Sequence, residues 1–332
     1  MAGAFGGCCT AFDGALDKYS VAEIDECHDI VTLSSRAEFQ IRDPFVLAEN
    51  GTYYLYKTLV TTNGFGVGVA TSKDLERWTD FAPVMVPAKG SRHTAVWAPE
   101  VHKYAGAYWL FTTLTFPADA KHPLVADYEK DFKGTEVYPR GVWIYRSELP
   151  TGPFRPVRDG SVTPADWMCL DGTLVVEDGK PWMVFCHEWC QVGNGRMMAA
   201  PLADDLSRFT AKPTELFRAA CRPGFGYVTD GPFLLRDGGT LRMIWSNFVR
   251  DDYCVIQCRS QSGRLTGPWV DQKVLYPKDG GHGMLFRRFD GQLMLTLHQP
   301  NVGRKERMRL YRVELTADGI ILKNQARLKT GG

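Results

Sequence analysis

One pattern recurs five times along the chain and limits what the chain can fold into. Each copy opens on an anchor of small, acidic or Pro/Gly residues and runs through a short apolar stretch. It then turns at Ala, Asn, Asp or Gly and returns through an apolar run that is usually rich in aromatics. The first copy is Asp43-Pro44-Phe45-Val46-Leu47, with its turn at Asn50-Gly51 and its return over 53–56. The second opens at Ala98-Pro99-Glu100-Val101 and turns at Ala105-Gly106; the third opens at Asp171-Gly172-Thr173 and turns at Asp178-Gly179. The fourth opens at Asp230-Gly231-Pro232-Phe233 and turns at Gly238-Gly239; the fifth opens at Gly281-His282-Gly283-Met284 and turns at Asp290-Gly291.

Turn residues between two apolar runs are the signature of a β-hairpin. A third strand-like run follows most copies, as at 67–70, 142–146 and 255–259. Units of about four strands, repeated roughly every sixty residues, predict an all-β fold: a five-bladed β-propeller with blades of about four antiparallel strands. A β-sandwich is the competing architecture, but it has no reason to repeat the same turn-and-aromatic grammar. The propeller is expected to fill residues 37–332 as a single catalytic domain, with residues 1–36 as an N-terminal segment that braces it.

The remaining composition narrows function by exclusion. Lys and Arg number 39 against 38 Asp and Glu, a net charge of +1 that gives no electrostatic reason to bind nucleic acid or an anionic membrane. No run approaches the ~18 apolar residues of a membrane span. Residues 1–10 lack the basic start and apolar core of an export signal, so the expectation is a cytoplasmic protein, although a removed signal would leave the same sequence. Nine cysteines are an odd number and read as free thiols. Cys186 with Cys190, and Cys254 with Cys258, have a zinc-like spacing but sit in strand-like runs that separate their side chains.

In a propeller the innermost strands line a channel, and their first residues meet at one mouth. Asp43, Glu100, Asp171, Asp230 and His282 are therefore expected to converge, ringed by the returning strand ends at His187-Glu188-Trp189, Ser246-Asn247 and His298-Gln299. Convergent carboxylates with no nucleophilic Ser or Cys motif suit acid–base hydrolysis of a glycoside. One carboxylic acid protonates the leaving oxygen while a second carboxylate acts at the anomeric side. Trp97, Trp167, Trp182, Trp189 and Trp245 lie near the anchors in sequence and include candidates for stacking on a sugar.

The pieces Arg42-Asp43-Pro44, Trp97-Ala98-Pro99-Glu100-Val101, Leu170-Asp171-Gly172-Thr173, Thr229-Asp230-Gly231-Pro232 and Gly281-His282-Gly283 resemble, in order and spacing, the family 43 glycoside hydrolases, which are five-bladed propellers. The resemblance implies that Asp43 is the general base of an inverting mechanism and that Asp171 orients the acid and tunes its pKa. The family's acid is a Glu where this chain has Asp230, which shortens the side chain by roughly 1–1.5 Å. Glu188 is the leading substitute, ahead of Asp230. His282 matches a histidine that, in many members, lies on the propeller axis near a calcium ion with mostly water ligands. No organic cofactor is implied.

Arg42, Trp97, Glu100, His187, Trp189, Asn247 and His298 are the expected substrate contacts, with His93 a further candidate. Arg42 is also placed to pair with the carboxylates. The expected partner is a small carbohydrate. Long stretches at 116–140 and 153–169 are expected to wall a pocket and favour exo cleavage of terminal furanosides, α-L-arabinofuranosides or β-D-galactofuranosides. A β-xylosidase of the same family, a retaining propeller enzyme and a noncatalytic sugar-binding propeller are the alternatives.

Overall fold

The computed structural model describes residues 40–61, 64–87, 92–117 and 137–323. They form five four-stranded antiparallel sheets, each a meander in chain order. Blade one holds β1 (Phe45–Glu49), β2 (Thr52–Thr61), β3 (Gly64–Ser72) and β4 (Ala82–Pro83). Blade two holds β5 (Ala95–Tyr104), β6 (Ala107–Thr115), β7 (Arg140–Ser147) and β8 (Arg155–Pro156). Blade three holds β9 (Cys169–Glu177), β10 (Lys180–His187), β11 (Arg196–Pro201) and β12 (Thr214–Arg218). Blade four holds β13 (Asp230–Asp237), β14 (Thr240–Val249), β15 (Asp252–Ser260) and β16 (Trp269–Tyr276). Blade five holds β17 (Gly281–Arg287), β18 (Leu293–Gln299), β19 (Arg307–Thr316) and β20 (Gly319–Leu322). One four-residue helix, α1 (Trp189–Val192), follows β10. This is the five-bladed β-propeller that the repeat predicts. The expected N-terminal segment 1–36 and most of the 116–140 stretch lie outside the described residues.

The turn chemistry explains the hairpins. Asn50-Gly51, Ala105-Gly106 and Asp178-Gly179 all have positive φ at both central residues, the type I′ geometry that matches strand twist. Apolar faces of neighbouring blades then pack on each other. Leu170, Val184 and Met197 of blade three share a buried cluster with Met243, Trp245 and Ile256 of blade four. The ring closes where β1 meets β17, and Ile41 N–H donates to Glu306 O at 3.1 Å just before blade one begins.

One backbone device repeats at the channel. In blades two to five the register of the inner hairpin shifts at the anchor, so that Trp97, Leu170, Asp230 and Gly281 lie opposite Thr113, Cys186, Ser246 and His298. The next residue in each blade takes a positive φ: Ala98 (46°), Asp171 (54°), Gly231 (48°) and His282 (50°), with Asp43 (51°) as the blade-one counterpart. A bulge of this kind re-aims one side chain without ending the strand. Non-Gly residues rarely hold such a φ, and strained backbone of this sort concentrates at functional sites.

The N–H groups at this position are satisfied across blade boundaries. Asp171 N–H donates to Thr113 Oγ1 at 3.0 Å, His282 N–H to Ser246 Oγ at 2.8 Å, and Asp43 N–H to His298 Nδ1 at 3.3 Å. The second strands of blades two, four and five thus hold the anchors of blades three, five and one. Further along the inner strands Phe45 of blade one lies 6.3 Å from Phe233 of blade four and 5.3 Å from His102 of blade two. Rings therefore fill the channel beside the anchors and leave them poorly hydrated.

Candidate active site

Asp43, Asp171 and His282 hold the matching positive-φ position in blades one, three and five, and the propeller brings them together. His282 Nδ1 lies 3.3 Å from Asp43 Oδ1 and 3.7 Å from Asp171 Oδ2. Asp43 Oδ1 also lies 3.3 Å from His298 Nδ1 and 3.7 Å from Arg42 Nε, yet accepts no well-formed hydrogen bond. Burial works against ionising Asp43, but His282, His298 and Arg42 outweigh it and hold the carboxyl well below its ordinary range. Arg42 is itself anchored, with Nη1 donating to Asn301 Oδ1 at 2.9 Å and to Glu306 Oε1 at 3.2 Å. His298 Nε2 is 3.3 Å from the same Asn301 oxygen.

Asp171 has the opposite character. Burial, then the neighbouring Asp230 and Asp43, push its carboxyl well above the ordinary value. Its Oδ2 accepts the Gly231 N–H at 2.9 Å. Asp230 is also raised, by burial above all, against the pull of His282, Tyr253 and Arg42. Its Oδ2 accepts the Tyr253 hydroxyl proton at 2.9 Å. Burial raises both carboxyls, and Asp230 adds to the rise of Asp171. Gly231 is required between them: a Cβ there would lie 2.9 Å from the His282 ring, at a φ of 48°.

Glu188 sits apart from this axial group, just before α1, with its N–H on Met168 O at 2.8 Å. Its buried carboxylate pairs with the buried Arg140 guanidinium through Oε2, while the Cys190 thiol lies 3.7 Å from Oε1. Burial raises Glu188 and Arg140 opposes that rise. Arg140 Nε also donates to Thr115 Oγ1 at 2.8 Å, and its guanidinium lies over the Trp97 ring, 4.1 Å from the centroid. Trp97 stays 37% exposed. A sugar ring has a face to stack on here and a carboxyl beside it.

Several expected residues are placed differently. Blade two presents Ala98, not Glu100, at the bulge position. Glu100 lies two residues further along the strand, level with Phe45, and is bonded to His102 Nε2 at 2.8 Å. Asn247 is fully buried and spends its amide on backbone: Oδ1 accepts from Val228 and Phe248 N–H, and Nδ2 donates to Ala219 and Gly226 carbonyls. It fixes the 219–228 loop rather than a substrate. His187 is buried, stacked on Trp167 at 4.2 Å and bonded to Gln191 at 2.7 Å, so it shapes the segment that carries Glu188. Trp189 packs on Val137, Met168 and Cys190. His93 bonds the Phe65 carbonyl at 2.8 Å.

The calcium ion expected near His282 is one held mostly by water. Calcium takes six to eight oxygens. Among the described residues no group of three or more His, Cys, Asp or Glu is arranged to hold a metal. The His282 nitrogen that faces the axis lies against two carboxylates. The cysteines at the two zinc-like spacings are free and, like Cys169, buried.

Sequence reasoning missed Arg140 and Tyr253. Arg140 opens β7 and Tyr253 is the second residue of β15, at the start of a blade's third strand, where no repeat marks them. Arg140 follows a long insertion, and Tyr253 announces itself only through Gly281, where a Cβ would come within 2.2 Å of the tyrosine ring.

Comparison with known proteins adds an independent line. Residues 37–321 match the model of the glycosyl hydrolases family 43. An endo-arabinase from Bacteroides thetaiotaomicron VPI-5482 is 34% identical, with a TM-score of 0.74 over 88% of this chain and 99% of that one. An endo-1,4-beta-xylanase from the same organism is 23% identical, with a TM-score of 0.66 over 87% of this chain and 96% of that one. An alpha-L-arabinofuranosidase from Lactobacillus brevis is 18% identical, with a TM-score of 0.68 over 86% and 94%. A search of curated protein sequences gave no match.

Proposed function

The chain belongs to glycosyl hydrolase family 43, and from that membership we propose that it is an inverting, exo-acting α-L-arabinofuranosidase. The observation that carries the reading is the split among its carboxyls. Asp43 is held ionised, while burial pushes Asp171, Asp230 and Glu188 toward protonation. Hydrolysis of a glycoside needs one carboxyl of each kind at the same pH.

In this reading Asp43 takes a proton from the attacking water. The water adds to the anomeric carbon as the bond to the leaving oxygen breaks. Glu188 delivers its proton to that oxygen, so that sugar and aglycone leave as neutral alcohols. Glu188 is favoured because it keeps the full glutamate length and stands beside the partly open Trp97 platform. Asp230 is the second candidate: it occupies the family's acid position and is also raised, but Tyr253 tethers it. Asp171 holds the Gly231 backbone, and the neighbouring Asp230 adds to the burial that raises its own carboxyl.

Arabinofuranosides are favoured over galactofuranosides and xylosides because the relative at 34% identity is described as an endo-arabinase. The test is hydrolysis of 4-nitrophenyl α-L-arabinofuranoside, with the β-D-galactofuranoside and β-D-xyloside in parallel. NMR of the first-formed anomer and a product profile on linear arabinan complete it. Inverted arabinose as the sole early product is expected. Oligosaccharides from mid-chain cleavage would overturn the exo reading, and no turnover of any of the three would favour a sugar-binding propeller.

A further inference from the structure

We propose that Arg140 is the positioning residue of the acid: its guanidinium fixes Glu188 and the Trp97 platform in one rigid unit. The inference rests on the reading of Glu188 given above and adds a residue to it.

Three independent contacts converge on this one side chain. Its Nη1 pairs with Glu188 Oε2, its Nε donates to Thr115 Oγ1 at 2.8 Å, and its plane covers one face of Trp97 at 4.1 Å. A guanidinium is the one cationic side chain whose fork and flat face make all three at once. Arg140 and Glu188 are both buried, so removing either leaves an unpaired charge out of water. Thr115 ends β6 and Arg140 opens β7 opposite it, which ties the clamp to the rigid sheet of blade two. Glu188 comes from blade three. The clamp therefore sets the distance from the platform to the acid across a blade boundary.

The chemical sense follows from what faces Glu188: Arg140, the Cys190 thiol, the buried Cys169 thiol and, further off, Asp230. Arg140 is the one cation in that set. A buried acid with no cation beside it holds its proton too tightly to give it up. A cation restores a value near the working pH, where proton transfer is most effective. Trp97 keeps part of its surface open for the leaving group, so the same guanidinium braces the surface that receives it.

The test follows the Glu188 carboxyl directly, by carbon-13 NMR of glutamate-labelled protein, with E188Q identifying the resonance. R140M keeps the length of the side chain and removes the charge. It is expected to raise the Glu188 pKa by about one unit or more and to move the alkaline limb of kcat/KM on methyl α-L-arabinofuranoside upward by the same amount. An unchanged Glu188 titration overturns the inference. A titration that moves while the limb stays fixed means that Arg140 governs the carboxyl but Glu188 is not the acid, which overturns the functional assignment instead. R140K provides the arm that stands if R140M does not fold. It keeps the charge and loses the fork, so the limb should stay near its wild-type place while kcat on the methyl glycoside falls roughly tenfold or more. Wild-type kcat in R140K also overturns the inference.

Discussion

The axial group and the Glu188 clamp solve the same problem, a carboxyl buried in one protonation state, by different means. On the axis the backbone does the placing. Asp43, Asp171 and His282 project from the same positive-φ position in three blades, and the preceding blade's second strand caps each N–H. At the clamp no repeat is involved: a four-residue helix presents Glu188, and one arginine from the neighbouring blade positions it. Within the axis, charge decides the outcome. Asp43 has two histidines and an arginine beside it and is held low; Asp171, buried and facing two other aspartates, is pushed up. Equivalent backbone positions thus acquire opposite acid–base character from their neighbours.

Removing the ionised member should have the largest effect. D43N is expected to lower kcat roughly 10³- to 10⁴-fold, equally for nitrophenyl and methyl arabinofuranosides, because the lost base acts on water and not on the leaving group. A loss confined to one class of leaving group would end the assignment of Asp43 as base. At the clamp the dependence should invert. E188Q is expected to cost the methyl glycoside on the order of 10²-fold or more and the nitrophenyl glycoside far less, since nitrophenolate leaves without a proton. If D230N shows that pattern and E188Q does not, the acid is Asp230 and the axis holds both roles.

The same contrast explains what the sequence made legible. Repeat arithmetic located the blades, the hairpin turns and the convergence of Asp43, Asp171 and His282, because all three follow from periodicity. It misjudged positions where the bulge shifts the count. Glu100 looked like the blade-two anchor, yet Ala98 holds that place; Asp230 looked equivalent to Asp171, yet Gly231 is. A register shift of one or two residues redirects a side chain and leaves no mark in composition. Asn247 stands at a strand end like His298, but the 219–228 loop consumes its amide, a tertiary fact that strand position does not encode. Arg140 was missed for the related reason that partners from non-repeating segments carry no period.

Two substitutions separate placement by backbone from placement by contact. G231A should destabilise the fold by about 3 kcal/mol, combining left-handed strain with the clash against His282. It should also lower kcat by pushing His282 off Asp43. G239A, in an open turn with nothing near its Cβ, is the control. Equal denaturation midpoints for the two would remove the bulge from the explanation. N247A should cost about 2 kcal/mol, the penalty for leaving buried backbone groups unpaired, with KM unchanged. A KM that rises without loss of stability would return Asn247 to the substrate.

The smallest effect reads the opposed pKa shifts of Asp43 and Asp171 without any substrate. Asp171 binds its proton more tightly folded than unfolded, so the folded state gains most below the ordinary Asp value of about 3.9. That gain is lost as pH rises through the raised folded value. The asparagine of D171N does not titrate, and its amide oxygen can still accept the Gly231 N–H. The Tm of D171N relative to wild type should therefore climb by a few degrees between pH 5 and pH 8. Asp43 is depressed, so its stabilisation is present above the ordinary value and disappears as pH falls through its folded value. D43N should accordingly be less stable than wild type at neutral pH, with the gap closing in strong acid. Two aspartates at one repeat position would then show stability differences that slope in opposite directions with pH. Parallel slopes would mean that burial, which the two share, governs both, and that His282, His298 and Arg42 do not set Asp43 apart.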